Sequence, residues 1–150
     1  MAEIIAEPIS QRTFIAASPE KVYDTITSGA GWDAFFTTGM EVDPHPDGVI
    51  VFRWQDWGPD FYTLDAPGKV VEAKRPERFV FQWGKYPSTI TFDLKPQFGG
   101  TVVHLTEQGY PNTPEGRRGM LECACGWGEA LTLLKFYLEH GVVYTPPQTP

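Results

Sequence analysis

Between residues 49 and 107 the apolar side chains recur at every second position. Ile50, Phe52 and Trp54 share one phase, as do Phe79, Phe81 and Trp83, then Ile90, Phe92 and Leu94, then Val103, Leu105 and Glu107. Period two belongs to a strand with one buried face. Breakers separate the runs: Pro44-His45-Pro46-Asp47-Gly48, Trp57-Gly58-Pro59-Asp60, Ala66-Pro67-Gly68, Lys74-Arg75-Pro76-Glu77-Arg78 and Lys85-Tyr86-Pro87-Ser88. Short strands joined by short turns predict an antiparallel meander. Residues 9–16 predict a strand ahead of it. Ala66-Pro67-Gly68 predicts a break between a strand at 61–64 and another at 69–73.

After residue 113 the period becomes three to four. Met120, Ala124, Trp127, Leu131, Leu134 and Leu138 share one face of a helix that opens at Thr113-Pro114-Glu115 and closes at Gly141. Ser18-Pro19-Glu20-Lys21 opens a shorter helix: Ser caps, Pro fits the first turn, and Glu suits the positive end of the dipole. Val22, Tyr23 and Ile26 form its buried side. Gly29-Ala30-Gly31 is expected to break it, and Trp32, Phe35 and Phe36 predict a second helical turn. Gly126 and Gly128 lie inside the long helix, where each costs about 1 kcal/mol relative to alanine. They predict close backbone approach or tolerated weakness. The order is strand, helices, about six strands, long helix. It predicts an α+β fold with the helices on one face of an open antiparallel sheet. At 150 residues without linker or repeat, one domain over 1–150 is expected. The Pro-rich stretch 144–150 is expected to fray.

Composition adds a question. Aromatic residues make up 14% of the chain, with five Trp, six Tyr and ten Phe. Such a surplus serves an oversized core or the lining of a pocket. The formal net charge is -7 and the basic residues are scattered. A nucleic-acid or anionic-membrane partner needs a basic stripe, so neither is expected. No apolar run approaches the ~20 residues of a spanning helix, and the start of the chain is too short and acidic for a secretory signal. The cytoplasm is the expected compartment. Cys123 and Cys125 point about 200° apart on a helix, which argues against a disulfide. They have no His or Cys partner at ligand spacing, so no metal or cofactor is expected.

Ser18-Pro19-Glu20-Lys21-Val22-Tyr23, the stretch GKVVEAKRPERFVFQW at 68–83, Gly100-Thr101 with Leu105 and Gly109-Tyr110-Pro111, and Gly126-Trp127 with Leu131, Leu134 and Leu138 follow one another in a familiar order. In order and spacing they resemble the START-like (SRPBCC) superfamily, in the branch related to the C-terminal domain of the activator of heat-shock-protein-90 ATPase. The resemblance implies the helix-grip fold: a curved antiparallel sheet of six or seven strands around a long C-terminal helix, with two short helices after the first strand. Relatives often carry histidine where this chain has Glu107 and Cys123, so no role of those histidines carries over. The separate N-terminal domain of the eukaryotic activator is not expected here, and the resemblance does not by itself imply a chaperone partner.

Function must come from the site. One alternative is that the inward aromatics simply fill a core. The other is that the wider end of the grip stays open, with a ligand-binding set of Trp32, Phe36, Trp54, Phe81, Trp83, Phe92, Glu107, Tyr110, Cys123 and Trp127. Glu107 shares the inward phase of Val103 and Leu105. It either reaches water at a strand end or faces a cavity as an acceptor or general base. Tyr110 and Arg53 are further candidates for orienting a ligand. Glu72 is expected to pair with Arg53 or Arg78. His45, His104 and His140 adjoin no other candidate catalyst, and no catalytic motif is present, so no catalytic residue is assigned. The leading expectation is a binder of a small apolar or aromatic ligand. The alternatives are a chaperone-associated or homodimerising module, and an enzyme with Glu107 as base.

Overall fold

A seven-stranded antiparallel sheet, in the order β1-β7-β6-β5-β4-β3-β2, curves around one long helix. The computed structural model describes residues 2–148. In chain order the elements are β1 (Ile9–Ile15), α1 (Pro19–Ile26), α2 (Gly29–Phe35), β2 (Glu41–Val42), β3 (Val49–Trp57), β4 (Tyr62–Lys74), β5 (Arg78–Trp83), β6 (Ser88–Gln97), β7 (Gly100–Gln108) and α3 (Pro114–His140). This is the helix-grip α+β architecture that the resemblance implies. β1 adds to the far edge of the meander by pairing with β7, from Ile9 opposite Glu107 to Ile15 opposite Thr101.

The helix ends follow local chemistry. Ser18 and Thr113 cap α1 and α3, their hydroxyls accepting from the backbone N–H groups of Lys21 and Gly116. Gly141 closes α3 in the left-handed conformation at φ 69°. α1 ends at Ile26, just ahead of Gly29-Ala30-Gly31, and these residues open α2 under a Ser28 cap. Both glycines are there for space. A Cβ at Gly31 would lie 2.1 Å from the Thr25 carbonyl oxygen, and one at Gly29 would lie 2.4 Å from that of Met40.

The expected break at Ala66-Pro67-Gly68 is absent, and β4 runs through it. At Pro67 the strand is flanked by β3 alone, because pairing with β5 begins only at Gly68 opposite Trp83. A missing N–H is tolerated on such a free edge. Two register shifts bend this part of the sheet, one between Trp54 and Trp57 and one between Val70 and Glu72.

Every apolar residue of the inward phase is buried, except Trp83, which is half-buried. The middle of the grip is solid. Trp32 packs edge-on to Phe52 and Phe92 at 5.0 and 6.2 Å, and Leu131 and Leu134 of α3 close over it. Residues 144–148 have no regular structure, yet Tyr144 is not frayed. Its ring stacks on Trp57 at 4.8 Å, its N–H donates to the Ala34 carbonyl, and its hydroxyl accepts from the Gly58 N–H. Residues 149 and 150 of that expectation lie outside the described residues. Among the described residues no helix is long and apolar enough to cross a membrane.

Gly31→Ala is expected to destabilise the protein by about 1–3 kcal/mol, because the methyl group meets rigid backbone. Urea unfolding followed by tryptophan fluorescence measures this; an unchanged midpoint would rule out the close approach.

Candidate functional site

The grip is open at one end. A cavity of about 680 Å³ lies between the C-terminal ends of β3 and β5, the first residues of β4, and the first half of α3. That volume is within the ordinary range of small-molecule sites. Phe36, Trp54, Trp57, Tyr62, Trp83 and Trp127 supply its aromatic walls. Tyr62 and Leu64 are 46% and 43% exposed, so apolar side chains stand at the mouth.

α3 makes the space by what it omits. Gly119, Cys123 and Gly126 lie on one face of the helix, and all three border the cavity. The expectation of close backbone approach at Gly126 is corrected: a Cβ there would meet nothing within 4 Å. Gly128 is the tighter of the pair, since a Cβ there would lie 3.3 Å from the Gln11 side chain.

Behind the inner wall sits Glu107, fully buried. It does not reach water at the strand end, because Trp83, Ser88, Tyr110 and Trp127 enclose its carboxylate. Trp127 Nε1 donates to Oε1 at 2.8 Å, and Trp83 Nε1 and the Tyr110 hydroxyl donate to Oε2 at 3.0 and 2.9 Å. The Ser88 hydroxyl also donates to Oε2. All four partners border the cavity, whereas Glu107 does not. A carboxylate with its oxygens occupied in this way meets the requirement that buried polar groups be bonded. It also locks the wall: the Trp83 and Trp127 rings stack at 5.3 Å with 29° between their planes.

Charge reaches the neighbouring acids. Burial, followed by the Glu107 charge, holds the Tyr110 phenol well above its ordinary range. Burial pushes the Cys123 thiol up to about 11; the neighbouring Tyr110 hydroxyl opposes this, and the Glu107 and Glu122 charges add to it.

The sequence-predicted set divides. Phe36, Trp54, Trp83, Tyr110, Cys123 and Trp127 border the cavity. Trp32, Phe81 and Phe92 do not: each is at most 1% exposed and belongs to the solid core. The Trp32 indole N–H is already taken by the Ile26 carbonyl at 2.7 Å. Arg53 is also elsewhere, bonded to Glu41 at 2.8 Å and to the Gly39 carbonyl. Glu72 pairs with Arg78 at 3.2 Å and His104 with Ser10 at 2.9 Å, both away from the cavity. Trp57 and Tyr62 were not anticipated. In a regular strand Trp57 would face away from Trp54, but the register shift, with Asp56 at φ 50°, turns both rings to the same side. Alternation carries no sign of that shift; the surplus of aromatic residues was the only hint. Among the described residues no group of three acidic, His or Cys side chains is placed to hold a metal ion.

A curved sheet closed by a long helix around an aromatic cavity defines a START-like helix-grip protein. Residues 16–139 match the family described as Activator of Hsp90 ATPase homolog 1-like protein, and the chain belongs to that family. Among solved structures it is similar to the Aha1 dimer from Colwellia psychrerythraea, at 25% identity over 90% of this chain and 98% of that one, with a TM-score of 0.76. A Rhodobacter sphaeroides protein is 26% identical over 92% and 98% of the two chains, with a TM-score of 0.72. A Staphylococcus saprophyticus protein, 22% identical over 94% and 98%, shares the fold with a TM-score of 0.75. No curated protein sequence matches the chain.

Glu107→Ala leaves two indole N–H groups and two hydroxyls without their acceptor. It is expected to cost at least about 3 kcal/mol, since each buried donor left unsatisfied costs about 1–3 kcal/mol. Equilibrium unfolding reads the loss, and a cost below about 1 kcal/mol would contradict the network. The thiols give a pH test. A thiol titrating near 11 is protonated at neutral pH, so iodoacetamide should label exposed Cys125 first and Cys123 only as pH rises toward 11. Mass spectrometry of the labelled peptides reads the order.

Proposed function

We propose that this protein binds a small apolar or aromatic molecule in the cavity between the sheet and α3. The carrying observation is the open space opposite Gly126, where α3 presents no side chain to the surrounding aromatic rings. A helix that merely closed a core would gain stability by filling that position. Burying one aromatic-sized group contributes on the order of 1.5–3 kcal/mol, so several ring contacts suffice for micromolar binding. Ser88 and Tyr110 supply hydroxyls at the inner wall for orienting a ligand.

The reading gives Glu107 a structural task. A general base must lie within reach of the proton it removes, and Glu107 is separated from the cavity by its own four partners. The chaperone activity named in the family description is not carried over to this chain.

Self-association is a second reading, compatible with the first. It is favoured by the dimeric state of the Colwellia relative. At the end of α3, Phe136 and Val142 are joined by a backbone hydrogen bond and are 45% and 53% exposed. Sedimentation equilibrium is expected to give a dimer that Phe136→Lys weakens; a monomer at all concentrations would exclude it.

Gly126→Leu separates binding from stability. It is expected to raise stability by up to about 1 kcal/mol, because it replaces a helical glycine where an added Cβ meets nothing within 4 Å, and to abolish binding of the neutral fluorophore N-phenyl-1-naphthylamine. Fluorescence titration of both proteins checks it. Equal binding by the variant, or no binding by the unaltered protein, would overturn the cavity reading.

A further inference from the structure

We propose that the cavity selects a cationic ligand, an ammonium group carried on an aromatic or alkyl body, and discriminates against carboxylates. This rests on the cavity reading above and adds the charge of the ligand.

The first observation is the wall. Trp54, Trp57, Trp83 and Trp127 all border one space. The face of an indole carries the negative part of its quadrupole and attracts a cation, with tryptophan the strongest of the aromatic side chains.

The second is the charge behind that wall. Glu107 is fully buried, and the four groups bonded to it are two indoles and two hydroxyls, all neutral. They satisfy its oxygens without cancelling its charge. In a poorly screened interior that charge extends through the wall into the cavity. The Glu107 charge also helps to keep the Tyr110 phenol and the Cys123 thiol protonated, behind the larger effect of burial.

The third is the rim. Asp60, Glu122 and Glu129 border the cavity, are exposed, and have no ion-pair partner among the described residues. Among the described residues Lys85 is the lone cation on the lining, and Glu115 holds it at 2.6 Å. Sites for carboxylates and phosphates present arginine or lysine to the anion. Here an entering anion would lose its water beside three carboxylates, with Lys85 already held by Glu115 and the Trp57 indole N–H the one buried side-chain donor without a partner on the lining among the described residues. An ammonium group would meet the carboxylates and the ring faces as attractions.

Three ligands on one naphthylmethyl body test this against the full chain by isothermal titration calorimetry at about 50 mM salt, where screening is weak. They are 2-naphthylmethyl-trimethylammonium, its neutral isostere 2-neopentylnaphthalene, and 2-naphthylacetate. The cation is expected to bind about tenfold or more tightly than the neutral isostere, and the carboxylate more weakly than either. In a Glu122→Gln, Glu129→Gln double variant, the cation's advantage over the neutral isostere should shrink. Equal binding of cation and neutral isostere, or tightest binding of the carboxylate, would overturn the charge assignment and leave the cavity reading standing. No binding by any of the three would overturn both.

Discussion

Four donors from four separate segments converge on the carboxylate of Glu107, and the open end of the grip depends on that convergence. Trp83 ends β5, Ser88 begins β6, Tyr110 follows β7 and Trp127 lies on α3. The sheet and the helix are thereby joined at the end where they are least filled. An apolar residue at 107 could pack there, yet it would leave the indole N–H groups and hydroxyls without partners in a dry setting. The carboxylate resolves that problem and imposes another, a buried acid with no cation bonded to it among the described residues. The character of the cavity follows from both facts: rings held in fixed orientation, and a negative field behind them.

The two ends of the molecule show how one architecture serves stability and function separately. Toward α1 and α2 the space under the sheet is filled by Trp32, Phe35, Phe52 and Phe92 in mutual edge and tilted contacts. Toward the first half of α3 the helix presents Gly119, Cys123 and Gly126, and a Cβ at Gly126 would meet nothing within 4 Å. Interior helical glycine is unfavourable by roughly 1 kcal/mol, so the open end carries a stability cost that the solid end offsets. Tyr144 extends this arrangement. By stacking on Trp57 it braces the outer wall with a segment beyond the last helix.

Much of the fold was legible because it depends on local periods and caps. Ile50, Phe52 and Trp54 alternate, and they face in; Ser18 and Thr113 precede Pro, and they cap helices. Pro67 misled for a tertiary reason: whether a strand tolerates proline depends on whether a neighbour occupies that edge, and β5 stops short of it. The site was half legible. Trp83, Tyr110 and Trp127 could be placed near an opening by phase and resemblance. Trp32, Phe81 and Phe92 have the same phase or composition and lie in the solid core, because phase states which side a residue faces and not how far along the sheet the filling extends. Trp57 was out of reach, since one irregular residue turns it to the other face.

The sequence by itself therefore determined the strands, the caps and the buried faces of the helices, because each is written in the spacing of neighbouring residues. It also determined that Glu107 points inward. Tertiary structure alone decided that Glu107 would be enclosed by four neutral donors, that Gly126 would look into empty space, and that Trp57 would join Trp54 on one wall. Each depends on what lies opposite, and the residues opposite come from segments far away in the chain. A cavity is an absence of facing atoms, and an absence between distant segments has no period to betray it.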